Sequence, residues 1–206
     1  MTPVPIVVID YDMGNVGSIV NMMKKLGQSA EVSSDPATIR KADRLILPGV
    51  GHFDAGMANI RGRGLVEVLD EKVLKDKTPI LGICLGMQLL GERSLEGDTP
   101  GLGWIPAESL KFSSDSLRVP HMGWNTVSAN GHWLFEGEPE DMRFYFVHSY
   151  HVVCKHPEDR IASATYGIEF SAAVGRDHIL GVQFHPEKSH RFGMQLLRNF
   201  ASHAFC

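Results

Sequence analysis

Pro79-Ile80-Leu81-Gly82-Ile83-Cys84-Leu85-Gly86-Met87-Gln88-Leu89-Leu90 reads as a strand, a sharp turn and a helix. Ile80 to Ile83 is a continuous apolar run of strand length, the pattern of a strand covered on both faces. Thr78-Pro79 stops the segment before it, because a residue preceding proline avoids the helical region. Leu85 begins a short helix that runs to Leu90. Glycines flank Cys84 and relieve crowding where the chain reverses. That is the Gly-x-nucleophile-x-Gly elbow, which holds a side chain out at the carboxyl end of a strand.

A strand covered on both faces needs helices on both sides, and the flanking sequence supplies them. Residues 4–10 form a second apolar, β-branched run, broken by Gly14-Asn15-Val16-Gly17. Ile19, Val20, Met22, Met23 and Leu26 then recur at helical spacing, and Gly27 stops them. Glu31-Val32 is a short strand at best, and Arg44-Leu45-Ile46-Leu47 is another, ended by Pro48-Gly49. Leu65, Val66, Val68, Leu69, Val73 and Leu74 share a helical face. Strand and helix alternate up to Leu90, which predicts a mostly parallel sheet with right-handed crossovers.

Beyond Leu90 the pattern changes. Pro, Gly, Ser and Asp crowd residues 94–139, as in loops and edge strands. Residues 144–147, 151–153, 161–164, 170–174 and 179–184 read as short strands at close spacing, which predicts antiparallel hairpins added to the sheet. A last helix is expected over 192–204. The expected fold class is α/β, a mostly parallel central sheet flanked by helices, as one domain over 1–206.

The 206 residues are 43% hydrophobic and 21% charged, the balance of a globular domain. A net charge of −4 excludes a protein built to neutralise a nucleic-acid backbone. No apolar run is long enough to cross a membrane, and no basic region opens the chain as in a signal peptide. Cys84, Cys154 and Cys206 are too few and scattered for a disulfide framework. A cytoplasmic location is expected, with no membrane and no nucleic acid as partner.

Three loops at strand ends carry residues suited to chemistry. Cys84 is the candidate nucleophile, and the Leu85 amide points toward an oxyanion formed there. Gln183-Phe184-His185-Pro186-Glu187 supplies a base and an acid to orient it. Leu47-Pro48-Gly49-Val50-Gly51 can turn backbone amides toward an anion, with the Val50 amide as the second oxyanion donor. In an open α/β sheet such loops converge on one crevice. The set suits acyl transfer or hydrolysis of an amide or ester. A cysteine hydrolase or protease would share the elbow and the histidine. His185, Glu187 and His190 are also residue types that ligate metal, but no cysteine pair supports them and they lie in a turn. Gly14-Asn15-Val16-Gly17 lacks the full dinucleotide fingerprint, and no phosphate loop is present. No cofactor or metal is expected.

Residues 79–90 together with Gly181-Val182-Gln183-Phe184-His185-Pro186-Glu187 resemble a class I, triad-type glutamine amidotransferase. Tyr11-Asp12-Met13-Gly14-Asn15, Leu47-Pro48-Gly49-Val50-Gly51, Val119-Pro120-His121-Met122-Gly123-Trp124-Asn125, Tyr145-Phe146-Val147-His148-Ser149-Tyr150 and His185-Pro186-Glu187-Lys188-Ser189 extend the similarity to the glutaminase subunits of imidazole glycerol phosphate synthases. These blocks span most of the chain, in order.

The resemblance implies a glutaminase that passes ammonia to a (β/α)8-barrel cyclase as a heterodimer in histidine biosynthesis. It implies Cys84, His185 and Glu187 as the triad and Val50 and Leu85 as oxyanion donors. Gly49, Gly51, Gln88, Glu96, His148, Ser149 and Tyr150 fall where the family holds glutamine. Asn15, Pro120, His121, Met122, Trp124, Asn125, Tyr145 and Lys188 fall where it meets the cyclase and the ammonia passage. Leu95 replaces one of a more usual pair of acids, so the amino-group contact rests on Glu96. Leu90-Gly91-Glu92-Arg93 is also unusual. An offshoot of the family serves sugar amidination with its own barrel partner, and Val16-Gly17 and His151-Val152-Val153-Cys154 keep that destination open.

Overall fold

Ile6-Val7-Val8-Ile9 is buried at every position because its strand is covered on both faces. The same holds for Arg44–Leu47, Ile80–Ile83 and Ile179–Val182. Alternate residues on these strands feed two separate cores. Ile6, Val8, Ile46, Leu81 and Ile83 point to one, and Val7, Ile9, Leu45, Leu47 and Ile80 to the other.

The computed structural model describes residues 6–113 and 117–205. Met1 to Pro5, including the first two residues of the expected 4–10 strand, and Cys206 lie outside the described residues. The first half runs β1 (Ile6–Ile9), α1 (Val16–Lys25), β2 (Ala30–Ser33), α2 (Pro36–Arg40), β3 (Arg44–Leu47), α3 (Phe53–Gly62), α4 (Leu65–Asp70), a π-helical turn Glu71–Lys75, β4 (Ile80–Ile83) and α5 (Leu85–Leu89). The second half adds β5 (Arg93–Ser94), β6 (Ala107–Lys111), β7 (His121–Thr126), β8 (Ser128–Ala129), β9 (Arg143–His148), β10 (Tyr150–Cys154), β11 (Arg160–Tyr166), β12 (Ile168–Arg176), β13 (Ile179–Val182) and α6 (His190–Ser202).

The main sheet has eight strands in the order β2-β1-β3-β4-β13-β12-β11-β8. From β2 to β13 all pairings are parallel, and from β13 onward all are antiparallel. α1 and α6 contribute Ile19, Met23, Leu196, Leu197 and Phe200 to one core. α3 and α4 contribute Phe53, Met57, Ile60, Leu65, Val68 and Leu69 to the other.

Two expectations need correction. The 179–184 segment is not merely an arm of a hairpin. β13 pairs antiparallel with β12 on one side but parallel with β4 on the other, Val182 opposite Ile83. The 144–147 and 151–153 segments are strands but leave the main sheet. β9 pairs with β7, and β10 with β6 and through it β5. The parallel β4–β13 pairing places the loops after both strands at one sheet edge, and Cys84 N–H donates to Val182 O at 2.8 Å.

Gly86 is where α5 crosses β3. A Cβ there would lie 1.8 Å from Leu47 O, a backbone atom that cannot rotate away. Gly86→Ala is therefore expected to destabilise the protein by about 3 kcal/mol through overpacking, lowering Tm by roughly 6–12 °C. A thermal melt within about 2 °C of the parent would contradict this close approach.

Candidate active site

Cys84 has φ 54° and ψ −108°, outside the regions an ordinary side chain prefers. Such strain persists only where neighbours over-determine it. Here the β4 hydrogen bonds fix one side and the Gly86–Leu47 contact the other. The result lifts the sulfur off the end of β4 while leaving it only 6% exposed.

His185 follows β13 and is 1% exposed. Its N–H donates to Tyr145 O at 2.9 Å, and its carbonyl accepts from Ser189 Oγ at 2.6 Å. Ser189 Oγ also accepts from Tyr145 N–H at 3.0 Å, so β9 clamps the turn. The ring's Nδ1 lies 2.8 Å from Glu187 Oε1. Burial alone would lower this pKa, but the adjacent Cys84 and Glu187 outweigh it and push it up to about 9. The thiol contact is looser than an ordinary hydrogen bond, since Nε2 has no partner at standard geometry. The chain thus brings together the nucleophile, base and acid that the sequence singled out.

A cavity of about 290 Å³ opens beside the sulfur. Cys84, Leu85 and Gln88 line it from the elbow and α5, and Val50 and Gly51 from the loop after β3. Glu96, Pro120, Val147, His148, Ser149 and Tyr150 complete it. Every residue assigned to substrate by resemblance lines it except Gly49, which sits beneath. A Cβ on Gly49 would meet Tyr11 Oη at 2.4 Å and Leu85 Cβ at 2.8 Å. Glu96 Oε2 also accepts from Phe53 N–H at 2.8 Å, fixing its carboxylate at the start of α3. Leu95 is 58% exposed and takes no part.

Of the two expected oxyanion donors, the Leu85 amide already has a partner in this structure. Leu85 N–H donates to Gly49 O at 3.3 Å, so the loop's own carbonyl occupies one donor. The buried Tyr11 hydroxyl donates to Pro48 O and pins that loop. Burial, then the nearby Cys84, raises the Tyr11 pKa and keeps its proton in place. Tyr11 and Gln183 both stand in the sequence motif blocks, but neither was assigned a role there. Gln183 is fully buried, its Nε2 3.7 Å from Cys84 Sγ, with its Oε1 accepting from Gln88 Nε2 at 3.1 Å.

Of the expected partner-facing residues, Met122 is 63% and Trp124 45% exposed. Trp124 meets Tyr145 edge-on, and Lys188 Nζ lies 5.8 Å from the Tyr145 ring centroid. Asn15 is exposed at the start of α1, which packs on the Pro186–Lys188 turn. Pro120 is exposed and also lines the cavity. His121 does not reach the surface. It is 4% exposed, stacked between Phe146 and Tyr166, with Asn125 bonded beside it. His190 stacks on Trp124 rather than joining His185 and Glu187. Among the described residues no group of three or more His, Cys, Asp or Glu could hold a metal ion. Cys154 is half-buried and away from the cavity, its thiol pushed up to about 11 by burial and then by Asp159.

Residues 7–204 match the model of the class-I glutamine amidotransferase family. The chain belongs to that family. A Pseudomonas aeruginosa protein named imidazole glycerol phosphate synthase subunit HisH 2 is 54% identical, over 95% of this chain and 98% of its own. One of the same name from Methanococcus maripaludis is 52% identical, over 97% and 100%. Bdellovibrio bacteriovorus subunit HisH is 46% identical, over 94% and 98%. In fold, a solved glutamine amidotransferase superimposes with a TM-score of 0.71 at 20% identity, over 94% of this chain and 96% of that one. Thermotoga maritima PurLQS does so with 0.73 at 17%, over 97% and 98%. The class-I fold is that of this chain, an α/β domain whose large sheet is mostly parallel and flanked by helices. No helix among the described residues is long and apolar enough to cross a membrane.

Proposed function

We propose that this protein hydrolyses glutamine to glutamate and ammonia, with Cys84 as nucleophile, His185 as acid and base and Glu187 as its orienting partner. It delivers the ammonia to a cyclase subunit. The observation that carries this is the strained elbow at Cys84 beside an imidazole held by Glu187 at 2.8 Å.

The Cys84 sulfur attacks the carboxamide carbon. Charge grows on the oxygen and is met by the Leu85 and Val50 amides, each such donor worth about 2.7–4 kcal/mol in the barrier. The His185 imidazolium gives its proton to the departing ammonia, leaving a glutamyl thioester. The neutral ring then takes a proton from water, which attacks the thioester and frees glutamate. Glu187 keeps the ring oriented throughout. Glu96 offers the counter-charge for the substrate's ammonium group, and Gln88 and the 148–150 backbone meet its remaining polar groups, with Gly49 and Gly51 letting the opposite wall approach closely.

Ammonia released into water near neutral pH becomes mostly ammonium, which is no nucleophile. A dry passage into a docked partner avoids that. The exposed Met122, Trp124 and Lys188, with the half-buried Tyr145 between them, are the docking face we assign, and a (β/α)8-barrel cyclase is the partner. The relatives' names support imidazole glycerol phosphate synthesis for histidine as the destination; a cytoplasmic location and action as one domain over 1–206 go with that reading. Two of those relatives are each called HisH 2. The second destination is a paralogous barrel that amidinates a sugar. Rescue of a histidine auxotroph lacking its own glutaminase subunit tests the first; failure there, with glutamine hydrolysis intact, selects the second.

The raised His185 also fixes the sign of a pH effect. The folded state binds this proton more tightly than the unfolded chain, where histidine titrates near 6.5. The stabilisation is therefore full below pH ~6.5 and lost as pH rises through about 9. We expect Tm to fall across that window and Glu187→Gln to flatten the fall. Parallel melting curves for the two proteins would contradict it.

A further inference from the structure

One wall of the cavity contains His148, an imidazole that the triad chemistry does not use, with the buried His121 behind it. His148 Nδ1 lies 2.8 Å from Tyr150 O, a carbonyl that has no proton to give, so Nδ1 donates. Burial lowers the His148 pKa to about 3 and that of His121 to about 4, so both rings are neutral near pH 7. With Nδ1 protonated, His148 Nε2 can only accept. Its neighbour at 2.9 Å is His121 Nδ1, which must donate. His121 Nε2 is then an acceptor, and Asn125 Nδ2 stands 3.3 Å from it. The same Asn125 nitrogen donates its other hydrogen to Thr165 O at 2.9 Å. At the far end, Tyr150 O takes a second bond from Gln88 Nε2 at 3.2 Å, which fills both its lone pairs.

The chain runs one way, from Asn125 through two rings to the Tyr150 carbonyl, with no donor or acceptor left over along it. It ties β7, whose Met122 and Trp124 are exposed, to the His148-Ser149-Tyr150 wall of the cavity. We propose that His121 is a positioning residue for glutamine, acting through His148 to fix the Ser149-Tyr150 backbone against which the substrate is held. This rests on the glutaminase function above.

His121→Phe keeps a ring between Phe146 and Tyr166 but strands His148 Nε2 without a donor. His121→Asn restores a donor near the Nδ1 position. Assayed in complex with the cyclase, His121→Phe is expected to raise KM for glutamine about tenfold with kcat changed less than about twofold. Iodoacetamide should alkylate Cys84 at the parental rate in both variants, and His121→Asn should return KM to within about threefold of the parent. An unchanged KM in His121→Phe, or equal KM values in the two variants, overturns the inference alone. A parent complex that leaves glutamine intact overturns the glutaminase assignment and the inference with it. A readout free of activity is the ¹⁵N spectrum of the imidazoles near pH 7. Nδ1–H tautomers at both His121 and His148 are expected, and an Nε2–H tautomer at either overturns the proposal.

Discussion

Glutamine-dependent turnover by the complex is expected to fall at least about 10⁴-fold in Cys84→Ser, while ammonia-dependent synthesis by the same preparation persists. Serine keeps the size of the side chain, so the elbow and the Gly86 contact survive. What is lost is the sulfur. A serine hydroxyl must surrender its proton as it attacks, and the base beside it is His185. With the sulfur present His185 is pushed up to about 9 by Cys84 and Glu187 against the lowering effect of burial, and in the serine variant Glu187 still raises it. The ring is poised to give a proton to ammonia and poorly poised to take one from a hydroxyl. Free ammonia bypasses the elbow entirely and enters at the cyclase. Loss of both activities, with a Tm lowered by several degrees, would instead make Cys84 a packing residue.

The chemistry of this site was legible in the sequence wherever a backbone requirement forces a residue type. Cys84 between two glycines announces its strained turn, because only glycine fits at Gly86 against Leu47 O. His185 and Glu187 were legible for a related reason. The apolar β13 run fixes where the strand ends and therefore which residues stand at its rim. The parallel half of the sheet was legible because strands buried on both faces are apolar throughout. The small sheets were not. β7 reads His-Met-Gly-Trp-Asn-Thr and β6 reads Ala-Glu-Ser-Leu-Lys, and each is stabilised by pairing with β9 or β10 far along the chain. α3 escaped notice although Phe53, Met57 and Ile60 have helical spacing, since its N-cap is a histidine, His52, and a second cap comes from Glu96 far along the chain. Tyr11 and Gln183 stood in the motif blocks, but their roles could not be read because their partners lie 37 and 99 residues away. That His121 is buried while Met122 is exposed could not be read ahead, because strand alternation cannot be phased without knowing which face β9 covers.

Docking of the cyclase is expected to raise glutaminase kcat by at least about 10²–10³, the value of one oxyanion donor. In the chain by itself the Leu85 amide is taken by Gly49 O, and a carbonyl stands where negative charge would develop. Rotating the Gly49–Val50 peptide removes that carbonyl and turns the Val50 N–H inward, so one motion frees one donor and supplies another. The loop is built for such a rotation. Gly49 has no Cβ to strike Tyr11 Oη, and Gly51 sits at φ +114°, where other residues are strained. Val50 is 42% exposed, so little packing resists its movement. What holds the resting form is the Tyr11 hydroxyl on Pro48 O. Tyr11→Phe removes one neutral hydrogen bond from the resting form, so the lone chain should become about two- to tenfold more active. The complex should gain less, so the activation ratio shrinks from below. Glutamate release measured with and without the partner decides both points. A lone chain as fast as the complex would mean the loop turns freely and docking contributes only the ammonia passage. A Tyr11→Phe chain with parental basal activity would move the restraint elsewhere, to Gly14, whose Cα is crowded by the Pro48 ring where an added Cβ would lie 3.1 Å from it.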